Sequence, residues 1–159
     1  MAFKIYIVPS FLLEEKLTDL LERVENANSL ARRAGYEPEV ISRDELLNYI
    51  SGESYEPDLL NSEEILSDEL LLLHEIVEIS ELKRMGFTID SKTIMRAYPH
   101  TYEAHLTAME VELRVASLIG RREHILKRII DLKNYLKDEY LPGFLRKRVL
   151  ELISLAESL

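Results

Sequence analysis

The chain has no cysteine, tryptophan or glutamine, and only five glycines and five prolines in 159 residues. Without cysteine there can be no disulfide, thiolate zinc site or thiol nucleophile, and the composition fits a reducing, cytoplasmic setting. Glycine is too sparse to build a phosphate-cradling loop or a dinucleotide fingerprint, and no G-x-S-x-G string occurs. P-loop NTPases, Rossmann oxidoreductases and α/β-hydrolases are thereby disfavoured. No apolar run approaches membrane-spanning length, and the stretch 3–8 is too short for a signal sequence and is followed at once by Pro9. A membrane partner is therefore not expected. Positive charge is in deficit: 20 Lys and Arg against 29 Asp and Glu give a net charge of −9. Such a surface repels phosphate backbones, so no nucleic-acid partner is expected. Loss of thermolabile residues with 31% charged residues gives a thermophile-like composition.

What remains is rich in leucine, glutamate, lysine and arginine, and its apolar residues recur at helical spacing. The pattern predicts a mostly α fold: a bundle of five or six helices with a minor N-terminal β-strand or two-stranded ribbon. Residues 3–8 read as the strand, and 37–41 as an extended partner. Ser10 opens a helix that Gly35 closes, and Ser42 with Glu45 makes a capping box for a short helix to about Ile50. Ser62 begins a helix that runs to Gly86. Asp90 or Ser91 opens a short helix broken at Pro99. The remaining helices span about 100–119, 121–140 and 144–159. All of this reads as a single domain, 1–159: an N-terminal strand and helix (1–52), a loop (53–61) and a helical core (62–159).

Two histidines interrupt the apolar helices. In the helix around 70–85, His74, Glu78 and Glu81 fall at i, i+4 and i+7, one stripe of a segment that is apolar nearly all round. The opposite stripe, Glu69, Ser80, Lys83 and Arg84, reads as its solvent face. In the helix around 102–119, His105 and Glu112 land in the middle of the apolar side, two turns apart. Burying His and Glu is costly unless they bond to each other, to water or to a metal. Antiparallel packing of these helices would bring His74, Glu78, His105 and Glu112 together as nitrogen and oxygen ligands for a divalent metal, Zn, Mn or Fe. Glu75 is the candidate general base. His100 and His124 read as surface residues.

Two short strings resemble known motifs. Leu73, His74, Glu75 and Glu78 are similar to the L-H-D-x-x-E string of HD-domain phosphohydrolases, with Glu75 in place of the aspartate. Glu75 and Glu78 also resemble the E-x-x-E half of the motif of MazG-type nucleotide pyrophosphohydrolases, but Leu106 and Leu113 stand where the second half needs acids. Neither resemblance carries residue roles over. The sequence thus leads to two expectations. One is a metal-dependent hydrolase acting on a phosphorylated or nucleotide substrate. The other is a non-enzymatic module, homo-oligomerising or binding another protein, whose His/Glu network is structural.

Overall fold

The computed structural model describes residues 10–52 and 62–159, with side chains from 18 and 63 onward. The predicted strand 3–8, the loop 53–61 and the caps at Ser10 and Ser62 lie outside these limits. The described residues form α1 (Ser10–Arg33), α2 (Arg43–Ile50), α3 (Ser62–Ser67), α4 (Glu69–Arg84), α5 (Thr93–Arg96), α6 (His100–Leu118), α7 (Arg122–Tyr135), a 3-10 turn (Gly143–Leu145) and α8 (Arg146–Ser158). The segment 37–41 belongs to no helix or strand among them. The surplus over the expected five or six helices is short, α3 having six residues and α5 four.

The pair α4 and α6 forms the centre, with α1 packed on α4, α7 on α6 and α8 on α7. The contacts of His74 with Glu112 and of Glu78 with His105 run in opposite directions along the two helices, so the pair is antiparallel, as expected. Leu70, Leu72, Leu73, Ile76, Val77, Ile79 and Leu82 cover almost every side of α4 and are all buried. Each contributes about 1.5–3 kcal/mol by leaving water, which is why this helix is the axis of the fold.

Asp68 divides the helix predicted from Ser62. It takes an extended conformation (ψ 122°), and its carboxylate accepts from the backbone N–H of Leu70 and Leu71, so it caps α4 afresh. At the other end, Gly86 adopts φ 94°. Its N–H donates to Lys83 and that of Phe87 to Leu82, the paired bonds of a glycine-terminated helix.

Of the predicted solvent stripe of α4, Glu69 and Arg84 are exposed, Lys83 is half-buried and Ser80 is covered. Ser80 is fully buried, and its hydroxyl accepts from the Glu39 N–H at 3.0 Å. Lys83 donates to the Val40 carbonyl and to Glu45, and Arg84 reaches Glu39 and the Glu37 carbonyl. Segment 36–41 is thereby strapped along the C-terminal half of α4. The polar residues there hold a neighbouring chain, a role that periodicity does not distinguish from exposure.

Gly52 packs against the loop before α5. A Cβ at this position would lie 2.5 Å from the Ser91 carbonyl oxygen, whereas one at Gly143 would meet nothing within 4 Å. Gly52→Ala is expected to cost about 1–3 kcal/mol through overpacking, and Gly143→Ala to stay within about 0.5 kcal/mol. Urea unfolding of both variants checks the contrast.

Candidate metal centre

Four helices converge on the centre. Tyr49 comes from α2, His74, Glu75 and Glu78 from α4, His105 and Glu112 from α6, and His124, Arg128 and Tyr135 from α7. The i, i+4 spacing stacks His74 over Glu78, with Nε2 to Oε2 at 3.2 Å. His105 meets both: its Nδ1 lies 2.9 Å from Glu78 Oε2 and 3.1 Å from His74 Nε2. One ligand atom from each of His74, Glu78 and His105 falls within 4.8 Å of the others, a group that could hold a metal ion.

Glu112 stands one step back. Its Oε2 is 2.6 Å from Nδ1 of His74, the nitrogen facing away from Glu78 and His105. The same carboxylate receives Nε of Arg128 at 2.6 Å, Nη2 of Arg128 at 3.2 Å and a short bond from His124 Nε2. The structure thus brings all four predicted ligands into one network, with three at the centre and Glu112 orienting His74 from behind. A carboxylate on the distal nitrogen is the usual way a ligating imidazole is fixed in tautomer and direction.

Electrostatics follow from burial and pairing. Burial alone would lower the pKa of His74, but the charge and hydrogen bond of Glu112, with those of Glu78, raise it to about 10. Burial opposes ionisation of Glu112, and the charges of Arg128 and His74 overcome it, holding its pKa far below the usual range. Glu78 is likewise held low, against burial, by its bonds to His105 and His74. His105 is pushed down by burial and by the charge of His74. At neutral pH the anions Glu78 and Glu112 therefore balance the cations His74 and Arg128. Neutral His105 completes the network: its Nδ1–H donates to Glu78, and its Nε2 accepts from the Tyr135 hydroxyl at 2.7 Å. Tyr49, fully enclosed, donates a short bond to the other oxygen of Glu78.

Glu75 sits at the margin, part-buried, with no hydrogen bond or ion pair recorded to another described residue. Burial and the neighbouring Glu78 charge raise its pKa to about 8. It is thus a carboxyl group that holds its proton near neutrality beside two carboxylates that do not. Glu81, which shares the predicted stripe, turns elsewhere and bonds the Tyr36 hydroxyl at 2.6 Å.

Sequence reasoning placed His124 at the surface and passed over Arg128, Tyr135 and Tyr49. The His124 side chain is only 11% exposed and rests against Glu112. The signal was there: His124, Arg128, Asp131 and Tyr135 follow i, i+4, i+7 and i+11, the periodicity that exposed the α4 stripe. Tyr49 gave none, being a lone aromatic in a short helix.

Comparison with known protein families, with curated proteins and with solved structures returns no match. The description that stands is a mostly helical chain with a buried His/Glu group able to hold a metal ion. Among the described residues, no helix is long and apolar enough to cross a membrane.

Removing Glu112 would leave Arg128 as a buried cation without its main partner. Glu112→Gln is expected to destabilise the protein by about 3–5 kcal/mol. The double variant Glu112→Gln with Arg128→Met should regain much of that loss. A double-mutant cycle in urea measures the coupling.

Proposed function

We propose that this protein is a metal-dependent hydrolase in which His74, Glu78 and His105 hold a divalent cation. The observation that carries the reading is the convergence of two imidazole nitrogens and one carboxylate oxygen from two helices, with Glu112 already on the far side of His74. Three protein ligands leave coordination positions for water and substrate, the pattern of catalytic rather than structural sites. Mixed nitrogen and oxygen donors without sulfur suit Zn, Mn or Fe. Such a cation would supply an acidified water as nucleophile and an electrophile for the substrate oxygen. Glu75, adjacent to the ligands, is the general-base candidate once the charge of the cation has made it give up its proton. Arg128 is consumed by Glu112 and Asp131, so a phosphorylated or nucleotide substrate would be held chiefly by the cation itself.

A second reading has its own observation: every ring nitrogen of His74 and His105 already has a protein partner. A network closed in this way can fix helix register with no metal at all.

Metal content of untagged protein, purified without chelator, separates the two readings. On the metal reading the protein carries close to one ion per chain, and His74→Ala and His105→Ala each abolish it. Glu112→Gln, if folded, binds about 10–100-fold more weakly. On the structural reading there is no metal, and both histidine variants are merely less stable. If metal binds, hydrolysis of a phosphate ester should vanish in Glu75→Gln while the ion is retained.

The affinity should also depend on pH with a fixed sign. His74 holds its proton up to about pH 10 in the metal-free protein, so below that pH the cation must displace a proton from Nε2. Affinity should therefore rise by about tenfold per pH unit from roughly pH 6 to roughly pH 9 for each proton displaced. Calorimetric titrations at several pH values read this directly.

A further inference from the structure

Aromatic rings form a continuous column from the centre to the surface. The His74 and His105 rings lie 4.5 Å apart between centroids, His105 and Tyr135 5.1 Å, Tyr135 and Tyr102 6.2 Å, and Tyr102 and Tyr98 6.0 Å. The first tyrosine lies against a candidate ligand and the last is 44% exposed. Three of these pairs are edge-to-face and that of His105 with Tyr135 is tilted; such pairs are common in cores, and packing alone would account for any one of them. Their continuity, and the partner of the middle ring, call for more. Tyr102 is 7% exposed, and its hydroxyl donates to the Asp138 carboxylate at 2.7 Å.

A phenol that loses one electron becomes a strong acid. Oxidation therefore settles where a base stands ready for the proton, and on this column His105 provides one to Tyr135 and Asp138 one to Tyr102. We propose that Tyr135, Tyr102 and Tyr98 form an electron-transfer path between the His74, Glu78 and His105 centre and the surface, on which Tyr135 and Tyr102 hold the oxidising equivalent. In the resting step one electron leaves Tyr102 for the oxidant, and the hydroxyl proton passes to Asp138. When the vacancy moves on to Tyr98, that exposed residue gives an electron to Tyr102 and its own proton to water, and Asp138 returns its proton to Tyr102. At the surface the oxidant is any one-electron acceptor. At the centre it is hydrogen peroxide, which would take one electron from a bound iron(II) or manganese(II) ion and one through Tyr135, with the proton of the phenol and one from solvent, and leave as two waters. Only that inner terminus rests on the reading of the centre as a metal site.

Two arms test the path separately. In metal-free protein, photogenerated ruthenium(III) tris-bipyridine, with persulfate as electron acceptor, should give a neutral tyrosyl radical by electron paramagnetic resonance. Tyr102→Phe combined with Tyr135→Phe should abolish it, and Tyr102→Phe, Tyr98→Phe and Asp138→Asn alone should each reduce its yield, while Tyr36→Phe leaves it unchanged. Equal yields in wild type, Tyr98→Phe and Tyr102→Phe would overturn the path. In the second arm, protein loaded anaerobically with iron(II) is mixed with hydrogen peroxide, and iron content is measured on the same sample. A Tyr102 radical lost in Tyr135→Phe supports the inner terminus. Bound iron without that radical overturns it, and failure to bind iron overturns the metal reading while the first arm still decides the path. Unfolding midpoints of all variants show that lost signal is not lost fold.

Discussion

A carboxylate with none of its surface in water must be surrounded by donors, and Glu112 is such a group. Its two oxygens are taken up by His74 from α4 and by His124 and Arg128 from α7, so one side chain of α6 sets the rotation of both neighbouring helices. Apolar side chains on the same faces would pack in several registers at similar free energy. A buried anion with directional partners tolerates far fewer, because any slip strands a charge in low dielectric. The position of His105 over Glu78 and the approach of Tyr135 to His105 follow from that register.

Much of this was legible in the sequence. The inward turn of His74, Glu78 and Glu112 came from helical spacing alone, because a polar residue amid apolar ones on a buried face admits few explanations. The capping box at Ser42 and Glu45 and the stops at Gly35, Gly86 and Gly120 came from local backbone chemistry. Other features depend on tertiary contacts. Ser80, Lys83 and Arg84 read as solvent-facing, yet they hold the 36–41 strap, since a stripe that donates to a neighbouring backbone looks like one that donates to water. Asp68 was passed over as a second cap because strong leucine periodicity on its C-terminal side masked the break. Glu112 was grouped with the three central residues because projection around a helix gives the face of a side chain, not which nitrogen of a histidine it will meet.

The balance of charge bears on both functional readings. Without a cation the centre is already neutral, two carboxylates against one imidazolium and one guanidinium. A divalent ion adds two charges, and displacing the His74 proton removes one. The remaining one can be met by ionisation of Glu75, the neighbouring carboxyl that retains its proton near neutrality. The same set of residues can thus be neutral with or without a metal, through changes in two protons rather than movement of helices.

The corner between α6 and α7 is tight: α6 ends at Leu118, Gly120 adopts a left-handed conformation and α7 begins at Arg122. Each residue of a helix turns it by about 100°. Adding or deleting one residue in this corner would rotate His124 and Arg128 about a quarter-turn away from Glu112. Length variation among descendants of this chain should therefore be absent between Leu118 and Arg122, making an otherwise ordinary turn one of the most constrained stretches of the molecule.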